Sequence, residues 1–366
     1  MRSARGWLSR FALAAILGIA TATYADWFWQ HPRPVPSDFG QPWAAARMLA
    51  QGDNPYDLIG PGRPFEHRFL LIYPATAALA AMPFAWAPAR LADALFIGLG
   101  AGLLAWALTR RTIANPQLWV FASFGMMVAA QTVQWSPYLT AAALMPWLGF
   151  VFAAKPSIGL AMLAAYPSRL AILVAAAFTL VTVLLWPWWI AAWLATLPSV
   201  THMSAPVMRW GGPFILLALV KWRRADARLL AALACVPQTP VLYEVVPLFL
   251  LVRTFREATF LTVLMALVVK IVQANEHAAH LSPALTGADY NTWMALNGQW
   301  MVWLVYLPCT ALVLCRPNEG LTFQWRTPLD AWRALRGRIT ATDSPTQGPP
   351  DLAPESLQGV HVPGAQ

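Results

Sequence analysis

Apolar runs follow one another along almost the whole chain, from Trp7 to Cys315, with short polar breaks between them. The runs are continuous rather than alternating in steps of two, which argues against a transmembrane β-barrel and predicts helices in a bilayer. The first spanning helix is expected over 7–24 and the second over 91–108. Further spans are expected over 117–133, 138–154, 170–188, 213–220, 229–236, 241–252, 260–271 and 300–315. The pattern predicts an all-α polytopic membrane protein with about ten transmembrane helices, roughly eight to twelve if the short proline-broken runs are re-entrant.

One stretch departs from this pattern. Residues 26–90 form a long segment between the first two spans, rich in turn residues and carboxylates. Within it, 41–51 has helical spacing, with Trp43, Ala46, Met48 and Leu49 on one side and Arg47 on the other; Gly52 and the Asp53–Asn54–Pro55 turn end it. A second surface helix is expected over 74–83. Counting that segment as a span instead would leave Arg110 and Arg111 outside, against the positive-inside rule.

Composition sharpens the topology. Charged residues make up 11% of the chain, against about 25% in soluble domains. The net charge of +9 comes from short clusters at helix ends: Arg2, Arg5 and Arg10; Arg110 and Arg111; Lys221, Arg223 and Arg224; Arg253 and Arg256. That distribution marks cytoplasmic ends and lacks the basic stripe of a nucleic-acid binder. Both termini are therefore expected in the cytoplasm and the 26–90 loop outside, in a plasma (inner) membrane. Arg2–Arg10 and the apolar run after them also resemble a signal peptide, but the further spans favour an uncleaved helix. The 20 Trp residues gather at segment ends, as an interfacial belt would. Cys235, Cys309 and Cys315 have neither metal-site nor disulfide spacing. His277 and His280 beside Glu276 read as loop surface, so no metal and no cofactor are expected. The layout is thus a first helix (1–25), an external loop (26–90), a bundle (91–315), a cytoplasmic amphipathic segment (316–339) and a disordered tail (340–366).

Charged residues beside a bilayer are costly and tend to serve chemistry. Asp38 is therefore the first residue to suspect, and it has two readings: a catalytic carboxylate, or the N-cap of the helix that follows. Asp57 closes an Asn54–Pro55–Tyr56–Asp57 sequence that turn chemistry alone explains. Arg63, His67, Arg68, His202 and Arg209 are external candidates for a phosphate, with Arg68 and Arg209 bordering apolar segments. Lys155 falls at the cytoplasmic end of a span, unless a re-entrant turn at Pro156 carries it inward. Glu244 lies in an apolar run without a neighbouring cation, to be buried in a site or paired with a distant arginine.

The segment from Ser37 to Pro83 resembles glycosyltransferase family 87, membrane enzymes that use polyprenyl-phosphate sugars. The resemblance rests on Asp38–Phe39, on Gly52–Asp53–Asn54–Pro55–Tyr56–Asp57 and on Tyr73–Pro74, where Ala75 replaces the usual second proline. Weaker elements are Ala130–Gln131 with Gln134 nearby, Lys155–Pro156, and Glu244 after a Tyr where Asp is usual. The resemblance covers roughly 10–252 and implies a C-type glycosyltransferase architecture, with two interfacial helices and the catalytic acid in the first external loop. It implies an inverting transfer of a hexose, with mannose favoured as in α-mannosyltransferases. The donor is a polyprenyl-phosphate sugar and the acceptor an extracytoplasmic lipid or glycan of the cell envelope. Asp38 is then the base, with Asn54, Tyr56, Asp57, His67, Arg68, Tyr73, Gln131, Lys155, Arg209 and Glu244 as donor- or acceptor-binding candidates. A transporter or flippase of a lipid-linked or small polar substrate is the alternative, because broken spans and buried charges also suit a carrier.

Overall fold

A computed structural model describes residues 4–30, 37–199, 203–238, 241–279 and 287–317. His202, His280, the expected amphipathic helix 329–339 and the tail 340–366 lie outside the described residues. The chain is mainly helical. After α1 (Ala4–Trp29) the 26–90 loop carries α2 (Gly40–Gln51), the short α3 (Pro55–Leu58) and α4 (Ala75–Ala81). The body follows with α5 (Ala89–Leu108), α6 (Phe124–Thr132), α7 (Ser136–Leu144), α8 (Phe150–Ala154), α9 (Pro156–Ala165), α10 (Arg169–Leu185) and α11 (Trp189–Thr196). Next come α12 (Ala225–Cys235), α13 (Phe255–Ala278), α14 (Gly287–Met301) and α15 (Leu307–Cys315). Tighter 3-10 turns fill Gly212–Lys221 and Leu242–Leu251.

Among the described residues three helices are long and apolar enough to cross a bilayer: Gly6–Trp29, Ala89–Leu108 and Thr292–Cys315. A fourth stretch, Arg169–Leu185 with Trp189–Ser199, is bent by 103°. Two of the other expected spans are divided, while 260–271 lies within the unbroken α13 and 213–220 and 241–252 each fall on a single 3-10 stretch. The run 117–133 breaks at Ser123, whose hydroxyl caps α6 through the Met126 N–H, and 138–154 breaks into α7, a turn at Pro146 and α8. Prolines and caps at Asn115, Ser123, Pro137, Pro146 and Pro156 stop each helix after a few turns, and hydropathy averaged along the chain does not register such stops.

α1 and α5 pack antiparallel at close range. Arg10 donates to the Trp106 carbonyl (3.2 Å) at one end, and Asp26 pairs with Arg90 at the other. Between them Gly18 faces Gly98 and Gly102, with Ala14 and Ala22 alongside. Small residues let apolar helices approach closely where lipid supplies no hydrophobic drive. A Cβ at Gly98 would stand 2.8 Å from the Ala22 Cβ and 3.0 Å from the Gly18 carbonyl. Gly98→Leu is therefore expected to cost at least the roughly 1–3 kcal/mol of overpacking, read as a lower melting temperature and folded yield in detergent. An unchanged melting curve would show that this contact does not hold α1.

Hydrogen bonds gather the basic clusters at one end of the molecule. Asn115, just past α5, donates to Leu108 O (2.6 Å), and Gln117 donates to Leu250 O (3.2 Å) and Val252 O (3.3 Å). Arg224, Arg253 and Arg316 converge on the buried Asp226, and Arg316 also meets Glu257 (2.7 Å). This is the end that the charge pattern assigns to the cytoplasm.

α8 and α9 form a hairpin rising from that end. Gly149 lies against Ala171 at the start of α10, and Arg228 donates to Ala164 O (3.1 Å) and Ala165 O (2.9 Å). Gly159 passes so near Phe152 that a Cβ would stand 2.4 Å from its carbonyl oxygen. Lys155 is the tip. At 1.5 Å per residue, α9 sets Lys155 about 15 Å from the Ala165 end that Arg228 holds, and the chain reverses at Pro156 rather than continuing as one span.

The loop helices are also less superficial than expected. α2 buries Gln41, Ala44, Ala45, Ala46 and Leu49, leaving Arg47 exposed, and α4 buries most of its length. α2 ends at Gly52, whose φ of 87° accepts the left-handed turn, with Asp53 N–H returning to Met48 O (3.0 Å). Thr76 of α4 donates to Ala153 O (2.7 Å), and on α11 Trp193 and Thr196 donate to Ile72 O (2.9 Å) and Leu71 O (3.0 Å). The 26–90 loop is thus pinned onto the hairpin and onto the bend after α10.

Candidate functional site

Asp38 emerges from this loop with its side chain free of the helix that follows. The Ser37 hydroxyl accepts the Gly40 N–H (3.0 Å) and donates to Asp93 of α5 (2.8 Å). Ser37 rather than Asp38 therefore serves the start of α2, which removes the capping reading. The Asp38 N–H donates to Thr132 O (3.1 Å), fixing its backbone on the end of α6.

Between α6 and α7 the chain turns through Val133, fully buried with φ 54°. A β-branched residue in left-handed geometry is strained, and such strain survives where the surroundings over-determine it. The turn delivers Gln134 to the carboxylate: its amide nitrogen donates to Asp38 Oδ2. Gln134 Oε1 faces Lys155 Nζ at 3.4 Å, and Lys155 pairs with Glu244 at 2.9 Å. The Lys155 ammonium also stands 5.1 Å from the centre of the Tyr243 ring. A chain of contacts thus runs Asp38–Gln134–Lys155–Glu244 across the loop, the α6–α7 turn, the hairpin tip and Leu242–Leu251.

These groups line a cavity of about 570 Å³. His67, Arg68 and Tyr73 of the 26–90 loop and Trp193 of α11 complete its walls, with Gln41 behind His67. Asp38 and Arg68 are half-buried, and the Tyr73 phenol, pushed up chiefly by burial and then by Asp38, stays protonated. Apart from the Gln134 bond, the Asp38 carboxylate meets no hydrogen-bond donor among the described residues. One oxygen is anchored and the other is available.

Several sequence candidates lie elsewhere. Gln131 donates to the Tyr24 hydroxyl (2.7 Å) and so holds α6 to α1; Gln134 occupies the position expected of it. Asn54 and Asp57 bond to each other (2.6 Å), with Asp57 exposed, and Asn54 caps α3, so this pair shapes a turn. Tyr56 is buried and donates to Tyr73 O (3.0 Å), bracing the cavity wall from behind. Arg63 ties Tyr56 O and Ile59 O. Arg209 donates to Ser204 Oγ (2.7 Å) and Met294 O (3.3 Å), on the far side of Glu244 from the main cavity. Glu244 has its cation after all, Lys155 rather than a distant arginine, because the hairpin brings together residues 89 apart.

Gln41, Trp193, Gln238 and Tyr243 belong to the site without having been singled out. Gln41 left a faint signal as an amide on the small-residue side of α2. Tyr243 was marked only as the Tyr before Glu244, and Trp193 and Gln238 left no signal, since nothing local separates them from structural Trp and Gln. Among the described residues no three His, Cys, Asp or Glu side chains gather around a metal position.

Compared with protein-family models, curated proteins and solved structures, the chain matches none. The class of the protein rests on its own architecture: a mainly helical chain with apolar helices long enough to cross a bilayer and a charged cavity between the loop after α1 and the α8–α9 hairpin.

Proposed function

We propose that the chain is an inverting, polyprenyl-phosphate-dependent hexosyltransferase, with mannose the favoured sugar, acting on an extracytoplasmic lipid or glycan. The observation that carries this reading is Asp38: one carboxylate, anchored through a single oxygen, in a cavity that also holds Arg68 and Lys155. Inverting displacement from an activated donor needs one base and cations for the departing phosphate. Asp38 takes the acceptor hydroxyl proton as that oxygen forms its bond to the anomeric carbon. The anomeric carbon–phosphate oxygen bond breaks, and polyprenyl phosphate leaves toward Arg68 and Lys155. Gln134 orients the base, and Trp193 and Tyr73 offer faces on which a sugar can stack.

Incorporation of label from polyprenyl-phosphate mannose into lipid or glycan, in membranes carrying the protein, tests the reading. Failure with that donor and with other polyprenyl-phosphate sugars would overturn it. A further test separates the two glutamines. Gln134→Ala removes a hydrogen bond to a charged group, worth about 1.5–3 kcal/mol, so transfer should fall roughly ten- to a hundredfold. Gln131→Ala should stay within about twofold, since it faces Tyr24. Equal losses would mean that the Asp38–Gln134 contact has no catalytic weight.

The re-entrant hairpin and its buried Lys155–Glu244 pair favour one other reading, a carrier for a lipid-linked or small polar substrate. Movement of a lipid-linked sugar across proteoliposomes, without covalent transfer, would select it.

A further inference from the structure

His67 is nine-tenths or more buried, lines the cavity and has one ring nitrogen fully committed. Its Nδ1 receives the Phe69 backbone N–H (3.2 Å) and the Gln41 side-chain nitrogen (2.9 Å). The orientation of the Gln41 amide is set by its other two partners, the carbonyl oxygens of Phe69 and Leu70, each at 3.0 Å, which only accept. Nδ1 therefore faces the Phe69 N–H and an amide nitrogen whose two hydrogens are shared among it and those two carbonyls. The Phe69 carbonyl also lies 3.2 Å from Nδ1, but a proton placed there would be pressed against both donors. The ring proton accordingly resides on Nε2.

Burial lowers the His67 pKa, against the opposing pull of Asp38, so the ring is neutral and does not quench the carboxylate by pairing with it. Nε2 is enclosed and meets no hydrogen-bond partner among the described residues. A buried donor left unpaired costs about 1–3 kcal/mol, a cost that disappears when a bound oxygen accepts from it.

We propose that His67 Nε2–H is a fixed, neutral hydrogen-bond donor for a non-bridging phosphate oxygen of the ligand held in this cavity. The phosphate part of this inference rests on the polyprenyl-phosphate reading above; the locked tautomer does not. Arg68, the next residue on the same wall, supplies the charge, while His67 supplies direction without charge. Gln41 is the positioning residue that selects the tautomer.

The test uses full-length protein in detergent, labelled with ¹⁵N in the imidazole rings, together with His67→Gln and His67→Leu. Farnesyl phosphate is the binding probe. At pH 7 the His67 signals, assigned by difference from His67→Gln, should show a protonated Nε2 and a bare Nδ1. His67→Gln retains an amide donor near the Nε2 position and should bind farnesyl phosphate within about threefold of wild type. His67→Leu, if it keeps the native elution profile and helicity, should bind about ten- to a hundredfold more weakly. A proton on Nδ1, or on both nitrogens, overturns the locked donor. Unchanged binding by His67→Leu overturns the phosphate contact while leaving the transferase reading intact. A wild type with the expected tautomer but no affinity for farnesyl phosphate overturns the phosphate assignment and the donor-lipid reading together.

Discussion

Asp38→Asn and Asp38→Ala are expected to lose sugar transfer by about a hundredfold to ten-thousandfold, the usual contribution of a positioned general base, at unchanged membrane levels of protein. Asn keeps the size of the side chain and a partner for Gln134, but its carbonyl oxygen cannot hold the acceptor proton at neutral pH. Neither variant should unfold, because the backbone N–H of Asp38, the Ser37 hydroxyl and the helix start at Gly40 are secured independently of the carboxylate. Label transfer from the donor, normalised to protein amount, reads the result. Full activity in Asp38→Asn would remove Asp38 from the chemistry and leave the cavity to a binding or carrier role.

Lys155→Met should be the most destabilising single change in the cavity. It leaves the Glu244 carboxylate buried without its cation, with the carboxylate side chain only 4% exposed. Removing one partner of a buried pair typically costs about 3–5 kcal/mol, because the remaining charge is uncompensated. Neutralising both should recover much of that loss: Lys155→Met with Glu244→Gln is expected to melt nearer to wild type than Lys155→Met alone. Transfer should nonetheless stay low in the double variant, since one of the two cations for the leaving phosphate is gone and Arg68 remains alone. Thermal melting in detergent, set beside the transfer assay, separates the two roles. If the single variant melts like wild type, the pair is hydrated and structurally idle.

The helical, membrane-embedded character of the chain was legible in its apolar runs. So were the ends of α2 and α5, where Gly52 and Arg110–Arg111 act as local punctuation. Asp38 was legible too, as a carboxylate in a charge-poor chain just beyond the first helix. The outline of the short helices was not. A window that averages hydropathy over 138–154 sees one continuous run, whereas the chain stops at Met145, restarts at Phe150 and reverses at Lys155. The same averaging hid the reversal that brings Lys155 to Gln134 and left Glu244 without a partner.

Gln131 and Gln134 show where reading by motif stops being sufficient. Both glutamines sit near the end of α6, and the position beside Ala130 looked the more informative. The left-handed turn at Val133 rotates Gln134 toward Asp38, while Gln131 stays on the helix face that meets Tyr24. One strained dihedral decides which amide belongs to the site, and no local residue preference foretells it.

The sequence alone determined that the chain is a helical membrane protein with its basic residues set at helix ends and an acid-bearing loop after the first helix. These properties follow from hydropathy, charge and turn chemistry, which act over a few residues at a time. Tertiary structure alone decided that Asp38, Gln134, Lys155 and Glu244 form one connected chain, that Ser37 relieves Asp38 of capping, and that Gln41 orients His67. Each of those depends on contacts between residues tens of positions apart, made by the approach of α1 to α5 and the return of the α8–α9 hairpin, which local preferences do not encode.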